Sequence, residues 1–325
     1  MSISMEQLDG AVFLAFPEMK EMLMRELQER FSASFQNRAD YGDLVILPEY
    51  DVQTGQGGHE IPYWCRCALL EPVKICFESI GEAAAALQSL QRLWASYSCT
   101  CFRRTVLIQE KLPYISSKPR NFPARIPNSP VGLFALLDKN TMIASARTSS
   151  PFPAGRIQFA EDHENPPSRA YLKLQEALSL ADCFFGSGFP SSGSRCLDAG
   201  ACPGGWTYTL AQLGASVLAV DRTELAPSLM NHPQVEFMKH DAFTLKPHEL
   251  GEFDWVFSDV ICYPERLLGW IQMWLESGLT KRMVCTVKLQ GGTDWKLISE
   301  FERIPNSKVV HLNYNKHELT FIHCG

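Results

Sequence analysis

The chain has 325 residues, 46% of them hydrophobic, and a formal net charge of −6. That is ample apolar matter for a buried core and more than one average domain. No apolar run reaches the roughly 18 residues that cross a bilayer, so no membrane-spanning helix is expected. The opening "MSISMEQLDG" lacks the basic start of a secretion signal. Eleven cysteines without regular spacing fit a reducing compartment, and a cytoplasmic location is expected.

Taken in chain order, "AVFLAF" (11–16) reads as a strand. "PEMKEMLMRELQERF" (17–31) reads as an amphipathic helix with proline in its first turn. "DLVILPE" and "CRCALLEPVKICFES" supply strands, and "GEAAAALQSLQRLWAS" (81–96) a second helix. Residues 1–111 are therefore expected to form a small α+β unit of ferredoxin-like type. Cys65 and Cys67, with Cys99 and Cys101, have spacings open to a four-thiolate zinc site or to paired core thiols on a strand face. No metal is expected. Residues 112–165 are proline-rich and read as a connecting region with strands at "VGLFALLD" and "TMIASART".

Between Arg103 and Arg156 lie nine Lys or Arg and only two acids, making that segment +7 and the remainder −13. An acidic protein with one basic band can grip a polyanion locally. Arg103, Arg104, Lys118, Arg120, Arg125, Arg156 and Arg169 are the candidate contacts, and the family resemblance given below implies that the polyanion is RNA. Phe152 and Arg156 in "SSPFPAGR" could stack on or clamp RNA, or simply pack in a linker.

Residues 166–325 alternate strand-like and helix-like runs. "RCLDAG", "ASVLAVD", "VEFMKHD", "FDWVFSD" and "RMVCTVKL" are strands; "GWTYTLAQLG", "ELAPSLMN", "PERLLGWIQMWLESG" and "TDWKLISEFER" are helical. "KVVHLNY" and "ELTFIHC" read as a closing antiparallel pair. This alternation predicts a Rossmann-like α/β domain, a mostly parallel seven-stranded sheet with helices on both faces.

The first strand of that domain runs into "LDAGACPGGWT" (197–207). Small residues at a strand-to-helix turn let a ligand approach the backbone and the free N–H groups of the helix. The pattern D-x-G-x-x-P-G-G-W lacks the dinucleotide fingerprint and the Lys-Ser/Thr ending of a phosphate loop, which disfavours NAD and ATP. The next strands end in Asp221, placed for a ribose diol, and Asp241-Ala242, placed for an adenine. An acid after each of three successive strands resembles an S-adenosylmethionine (SAM) site.

"DAGACPGGWTYTL" resembles the first SAM motif of FtsJ-like RNA 2′-O-methyltransferases. "PPSRAYLKLQEAL", "LAPSLM", "QVEFMKHDAFTLKP" and "SDVICYPER" are most similar to the RlmM group of that superfamily, which methylates a cytidine of 23S rRNA. The resemblance covers about 150–325; the N-terminal part resembles the group's THUMP-containing region only in outline and is shorter. SAM is the implied cofactor, with contacts at Asp198, Gly200, Ala201, Pro203, Gly204, Gly205, Trp206, Asp221, Asp241, Ala242 and Asp259. Trp206 could equally staple its helix to the sheet.

The resemblance also implies a Lys-Asp-Lys-Glu tetrad at Lys173, Asp259, Lys288 and Glu318. A ribose 2′-hydroxyl is a poor nucleophile until it is aligned and relieved of its proton. A lysine takes that proton only if its pKa is lowered, which a second cation beside it can do, while neighbouring carboxylates raise it, so residue types leave the balance open. Lys288 is assigned as base and Lys173 as the residue that tunes it, with the acids orienting both; any pKa belongs to the coupled group. Two alternatives stay open. One is cytosine-C5 methylation through Cys262 or Cys285; the other is a non-catalytic RNA-binding protein that keeps the fold. His317, next to Glu318, is a minor candidate.

Overall fold

The computed structural model describes residues 3–48, 50, 61–126 and 129–325; the last residue of "DLVILPE" lies outside them. The chain divides into two compact units, residues 1–119 with 126–158, and residues 120–125 with 159–325.

The first unit holds strands β1 (Ser4–Gln7), β2 (Ala11–Ala15), β3 (Ala39–Tyr41), β4 (Leu44–Leu47), β5 (Cys65–Leu69), β6 (Val73–Cys76), β7 (Trp94–Tyr97), β8 (Gly132–Leu136) and β9 (Thr141–Ser145). Its helices are α1 (Lys20–Phe31), α2 (Ile80–Leu90) and α3 (Phe102–Gln109). One antiparallel sheet runs β3-β4-β2-β5 and a second runs β1-β6-β9-β8-β7. A lone ferredoxin-like sheet therefore does not describe the region. The helix expected to complete it, α2, follows β6 and serves the second sheet, burying Ala83, Ala86 and Leu87 against Ile75, Phe134 and Met142. The opposite face, through Leu133, Ala135 and Ile143, meets Val12, Leu14 and Ile46 of the first sheet. This alternation along β8 and β9 is the period-two rule of a strand buried on both sides.

The expected connecting region is thus not a separate piece: β8 and β9 are inner strands of the five-stranded sheet, while residues 120–125 group with the second unit. Two helix boundaries also differ from expectation. α1 starts at Lys20, because Glu18 takes a left-handed φ of 65° that a helix cannot contain. α2 stops at Leu90, and buried Trp94 instead opens β7, its indole N–H donating to the Leu87 carbonyl at 2.9 Å.

The second unit contains α4 (Ala170–Phe185), β10 (Arg195–Ala199), α5 (Gly205–Gln212), β11 (Ser216–Asp221), α6 (Pro227–Met230), β12 (Val235–Lys239), α7 (Pro247–Leu250), β13 (Trp255–Ser258), α8 (Pro264–Ser277), β14 (Arg282–Lys288), α9 (Trp295–Glu302), β15 (Ser307–Val310) and β16 (Glu318–Cys324). They build a sheet in the order β12-β11-β10-β13-β14-β16-β15. β10 to β14 pair in parallel, and β16 lies antiparallel between β14 and β15. From β10 the chain first builds outward through β11 and β12, then crosses to β13 on the other flank. Such a reversal leaves a crevice at the carboxyl ends of β10 and β13, where open α/β sheets bind ligands. No helix among the described residues is long and apolar enough to cross a membrane.

Candidate active site

The turn after β10 faces the turn after β13 across that crevice. Gly200 has φ +80°, and a Cβ there would lie 2.2 Å from Val260 Cγ2. Gly204 has φ +113°, and a Cβ there would meet Leu229. A side chain at either position would overlap a neighbouring side chain, so these glycines answer first to the protein's own packing and only then to a ligand. Asp221, at the tip of β11, ties the turn down: its carboxylate accepts the N–H of Cys202 at 3.0 Å and of Thr223 at 2.9 Å.

Several of the expected cofactor residues are engaged within the protein itself. Asp198 is 1% exposed and accepts the Thr207 hydroxyl at 2.6 Å; burial pushes its carboxyl up to about 7, against the lowering by Thr207. It clamps α5 onto β10 from beneath. Trp206 is buried, donates to the Ala170 carbonyl at 3.0 Å and packs edge-on against Phe257, so it is the staple rather than a pocket wall. Ala201 packs with Ala219, Leu225 and Leu229. Asp241 gives one oxygen to the Phe243 N–H and the other to Arg222, with Arg266 at 3.7 Å. Its pKa is lowered: burial opposes, but Arg222 and the Phe243 N–H outweigh it. Ala242 beside it is buried. Pro203, in contrast, is exposed, and Gly205 is packed against Ser168 and Ala170.

The tetrad residues come from four separate elements and meet. Lys173 projects from the first turn of α4, Asp259 follows β13, Lys288 ends β14 and Glu318 opens β16. The β14–β16 register sets Lys288 directly opposite Glu318. Lys173 Nζ lies 2.6 Å from Glu318 Oε1 and 3.2 Å from Asp259 Oδ2. Lys288 Nζ lies 2.7 Å from Asp259 Oδ1 and 2.7 Å from Glu318 Oε2. Each ammonium bonds both carboxylates and each carboxylate bonds both ammoniums, so the ring is closed and its charges cancel. Lys173 is itself buried, in a helix whose neighbouring Leu172 and Leu174 are buried as well.

The pairing sets the sign of a balance that residue types leave open. Burial acts to lower the pKa of Lys288, but Asp259 and Glu318 together outweigh it and hold the ammonium above the usual lysine range. The second lysine does not prevail, because both carboxylates stand between the two ammoniums. Glu318 is held below its usual range: burial raises it, and Lys173 and Lys288 more than offset that.

A supporting layer fixes the Glu318 side of the ring. Glu176, fully buried one turn beyond Lys173, accepts the Asn313 N–H at 3.0 Å, the Asn313 side-chain amide at 2.8 Å and the Tyr314 N–H at 3.2 Å. Asn315 donates to the Glu318 carbonyl at 3.1 Å. Burial pushes Glu176 up to about 7, against those three donors. The signal for it in the sequence is a glutamate three residues after Lys173, on the apolar side of α4. Arg222, the partner of Asp241, was also not read; it directly follows Asp221.

Of the candidate RNA contacts, Arg103, Lys118, Arg125, Arg156 and Arg169 are exposed and Arg120 is half-buried. Arg104 donates to the Glu78 carbonyl and lies over the Phe77 ring, and Arg169 pairs with Glu161 at 2.8 Å. Phe152 is buried, hence packed rather than free to stack. Arg103, Arg104, Lys118 and Arg156 belong to the first unit; Arg120, Arg125 and Arg169 belong to the second. Cys65 and Cys67 are buried thiols of β5, and among the described residues no cluster of three or more His, Cys, Asp or Glu could hold a metal. His317 is exposed.

Residues 166–266 match the FtsJ-like methyltransferase family. The FtsJ-like segment thus runs from the residues before α4 to the first turn of α8, and takes in Lys173, the glycine turn, Asp221, Asp241 and Asp259. The chain is 37% identical over 146 residues to a protein named ribosomal RNA large subunit methyltransferase M from Edwardsiella ictaluri, covering 43% of this chain and 37% of the relative. Relatives of the same name from Halorhodospira halophila (37% over 125 residues; 38% and 36% covered) and Alteromonas mediterranea (33% over 177 residues; 51% and 47%) are similar to the same extent. The matches span less than half the length of these curated relatives. SAM is the cofactor of this methyltransferase family. The FtsJ-like segment fits it: among the described residues each oxygen of the Asp221 carboxylate accepts one backbone N–H, leaving acceptor positions for a diol, at the mouth of a glycine-lined crevice.

Proposed function

We propose that the chain is a SAM-dependent ribose 2′-O-methyltransferase acting on a cytidine of 23S ribosomal RNA. The observation that carries this reading is the closed Lys173–Asp259–Lys288–Glu318 ring at the crevice mouth. Bound SAM supplies a methyl group on a sulfonium, which needs little help to leave. The work left to the protein is to align a sugar hydroxyl and remove its proton.

Asp221 would hold the cofactor's ribose, and the 200–204 turn would lie along it. Asp259 faces the crevice and can share its charge with a cation bound there. Lys288 would then hold its proton less firmly and lose it to solvent; the neutral amine would accept the 2′-hydroxyl proton as the oxygen takes the methyl group, whose bond to sulfur breaks with the electron pair left on a neutral thioether. Lys173 stays charged, keeps both carboxylates in register and donates a hydrogen bond to the sugar. The names of the similar proteins support a large-subunit ribosomal RNA substrate. Cys262 and Cys285 fit a thiolate role poorly, since burial raises both thiols above their ordinary range, away from the nucleophilic form.

The test is transfer of radiolabelled methyl from SAM to ribosomal RNA purified from cells lacking the gene. Incorporation by wild type and none by Lys288→Ala is expected; equal incorporation by both removes the base assignment. No incorporation by wild type, with SAM still bound, favours the non-catalytic alternative.

A further inference from the structure

Just beyond the ring the second unit has a cleft with two walls. One is the start of α8 at Tyr263, Pro264 and Glu265; the other is Leu289 and Gln290 after β14, with Asp294 and Leu297 at the start of α9. The walls begin four residues after Asp259 and one residue after Lys288, on the neighbouring parallel strands β13 and β14. The cleft therefore continues from the same two strand ends that carry Asp259 and Lys288.

The lining chooses among the parts of a nucleotide. It contains no Lys or Arg and two carboxylates, Glu265 and Asp294, so it repels a phosphate. It offers an aromatic ring, since Tyr263 is 65% exposed, and an accessible aromatic ring is a surface on which a base can stack. It also offers amide and carboxylate acceptors at Gln290 and Glu265. A flat heteroaromatic ring edged with N–H donors matches all three features.

We propose that this cleft seats the base of the nucleotide being methylated, with Tyr263 as its stacking surface and Glu265 accepting from an exocyclic amino group. The inference rests on the RNA-methyltransferase reading above. It assigns Tyr263 and Glu265 a specificity role that the tetrad does not supply: a base bearing an amino group is favoured over uracil.

The experiment is a double-mutant cycle. The nucleotide modified by wild type is mapped, and a short RNA spanning it is made with the natural base, with uracil, and with no base at that position. Tyr263→Ala, Tyr263→Phe and Glu265→Gln are compared with wild type, with SAM affinity as the control for folding. Stacking on an aromatic is worth enough that Tyr263→Ala should lower kcat/KM on the natural RNA by about tenfold or more, with Tyr263→Phe near wild type. On the abasic RNA, Tyr263→Ala and wild type should be equally slow. Glu265→Gln should narrow the preference for the natural base over uracil. Wild-type rates from Tyr263→Ala, or the same loss on natural and abasic RNA, overturn the proposal. Wild type that methylates no RNA overturns the underlying reading instead.

Discussion

Replacing Glu318 by glutamine removes one negative charge from the ring and keeps its shape. Glu318 lies 2.7 Å from Lys288 Nζ and 2.6 Å from Lys173 Nζ. Unit charges at that separation attract by about 6 kcal/mol at an effective dielectric near 20, and desolvation of the buried groups offsets much of it. What remains is the usual effect of an opposite charge in contact, about 1–3 pKa units. Lys288 is held above its ordinary range partly by this contact, so Glu318→Gln should let its pKa fall by about that amount. If neutral Lys288 is the base, the rate rises with pH as the ammonium loses its proton. The rising limb of kcat against pH should therefore move to lower pH in Glu318→Gln by about 1–3 units. The assay is initial methyl transfer to ribosomal RNA at saturating SAM from about pH 6 to pH 10, a span bracketing ordinary lysine shifts. A limb that stays in place, or moves to higher pH, refutes Lys288 as the titrating base.

Asp198→Asn should raise the melting temperature at about pH 8 by about 2–4 °C, as about 1 kcal/mol does in a unit of this size, and leave it unchanged near pH 4. The carboxyl's folded pKa of about 7 lies above its ordinary 3.8, so the folded state binds the extra proton and stability falls as pH rises from about 4 to about 7. Thermal melts of both proteins across that window check it, and an equal gain at both ends contradicts it. Gly200→Ala should cost about 1–3 kcal/mol, from the positive φ and the overlap with Val260, seen as a lower denaturant midpoint together with weaker SAM binding by calorimetry. Asp221→Ala should weaken SAM by tenfold or more, about one charge-assisted hydrogen bond, while leaving RNA affinity within twofold. Neutralising Arg120 and Arg125 together should flatten the salt dependence of RNA binding by up to about 2 in log–log slope; an unchanged slope removes them from the footprint.

The second unit was legible because β10 to β13 are short runs of the kind found in parallel sheets, each ending in or soon followed by an acid or a glycine. Their order in the sheet follows from the same pattern once β10 is taken as the reversal point. The four ring residues could be located by motif, but their mutual bonding could not, since it depends on the β14–β16 register and on Lys173 turning inward from a helix. The sign of the Lys288 shift is open in the sequence for that reason: residue types give two cations and two anions, and only geometry shows that the anions lie between. The role of Asp198 was hidden because an acid at a strand end looks the same whether it faces a ligand or a threonine hydroxyl beneath it. In the first unit, "QRLWAS" continues an apolar helical pattern, yet the bulk of Trp94 is buried by turning the chain into β7. Residues 102–109 carry Phe102, Val106 and Leu107 on an exposed face, and that mixture gave no clear helical stripe.

The most direct measurement is the chemical position of the transferred methyl group. RNA labelled by wild type is hydrolysed in alkali, which cleaves every linkage with a free 2′-hydroxyl. A two-cation, two-anion ring acting on a ribose oxygen should leave the label in an alkali-resistant dinucleotide, and Lys288→Met, still binding SAM, should leave none. Label recovered in a single nucleotide, with the methyl on the base, would contradict it.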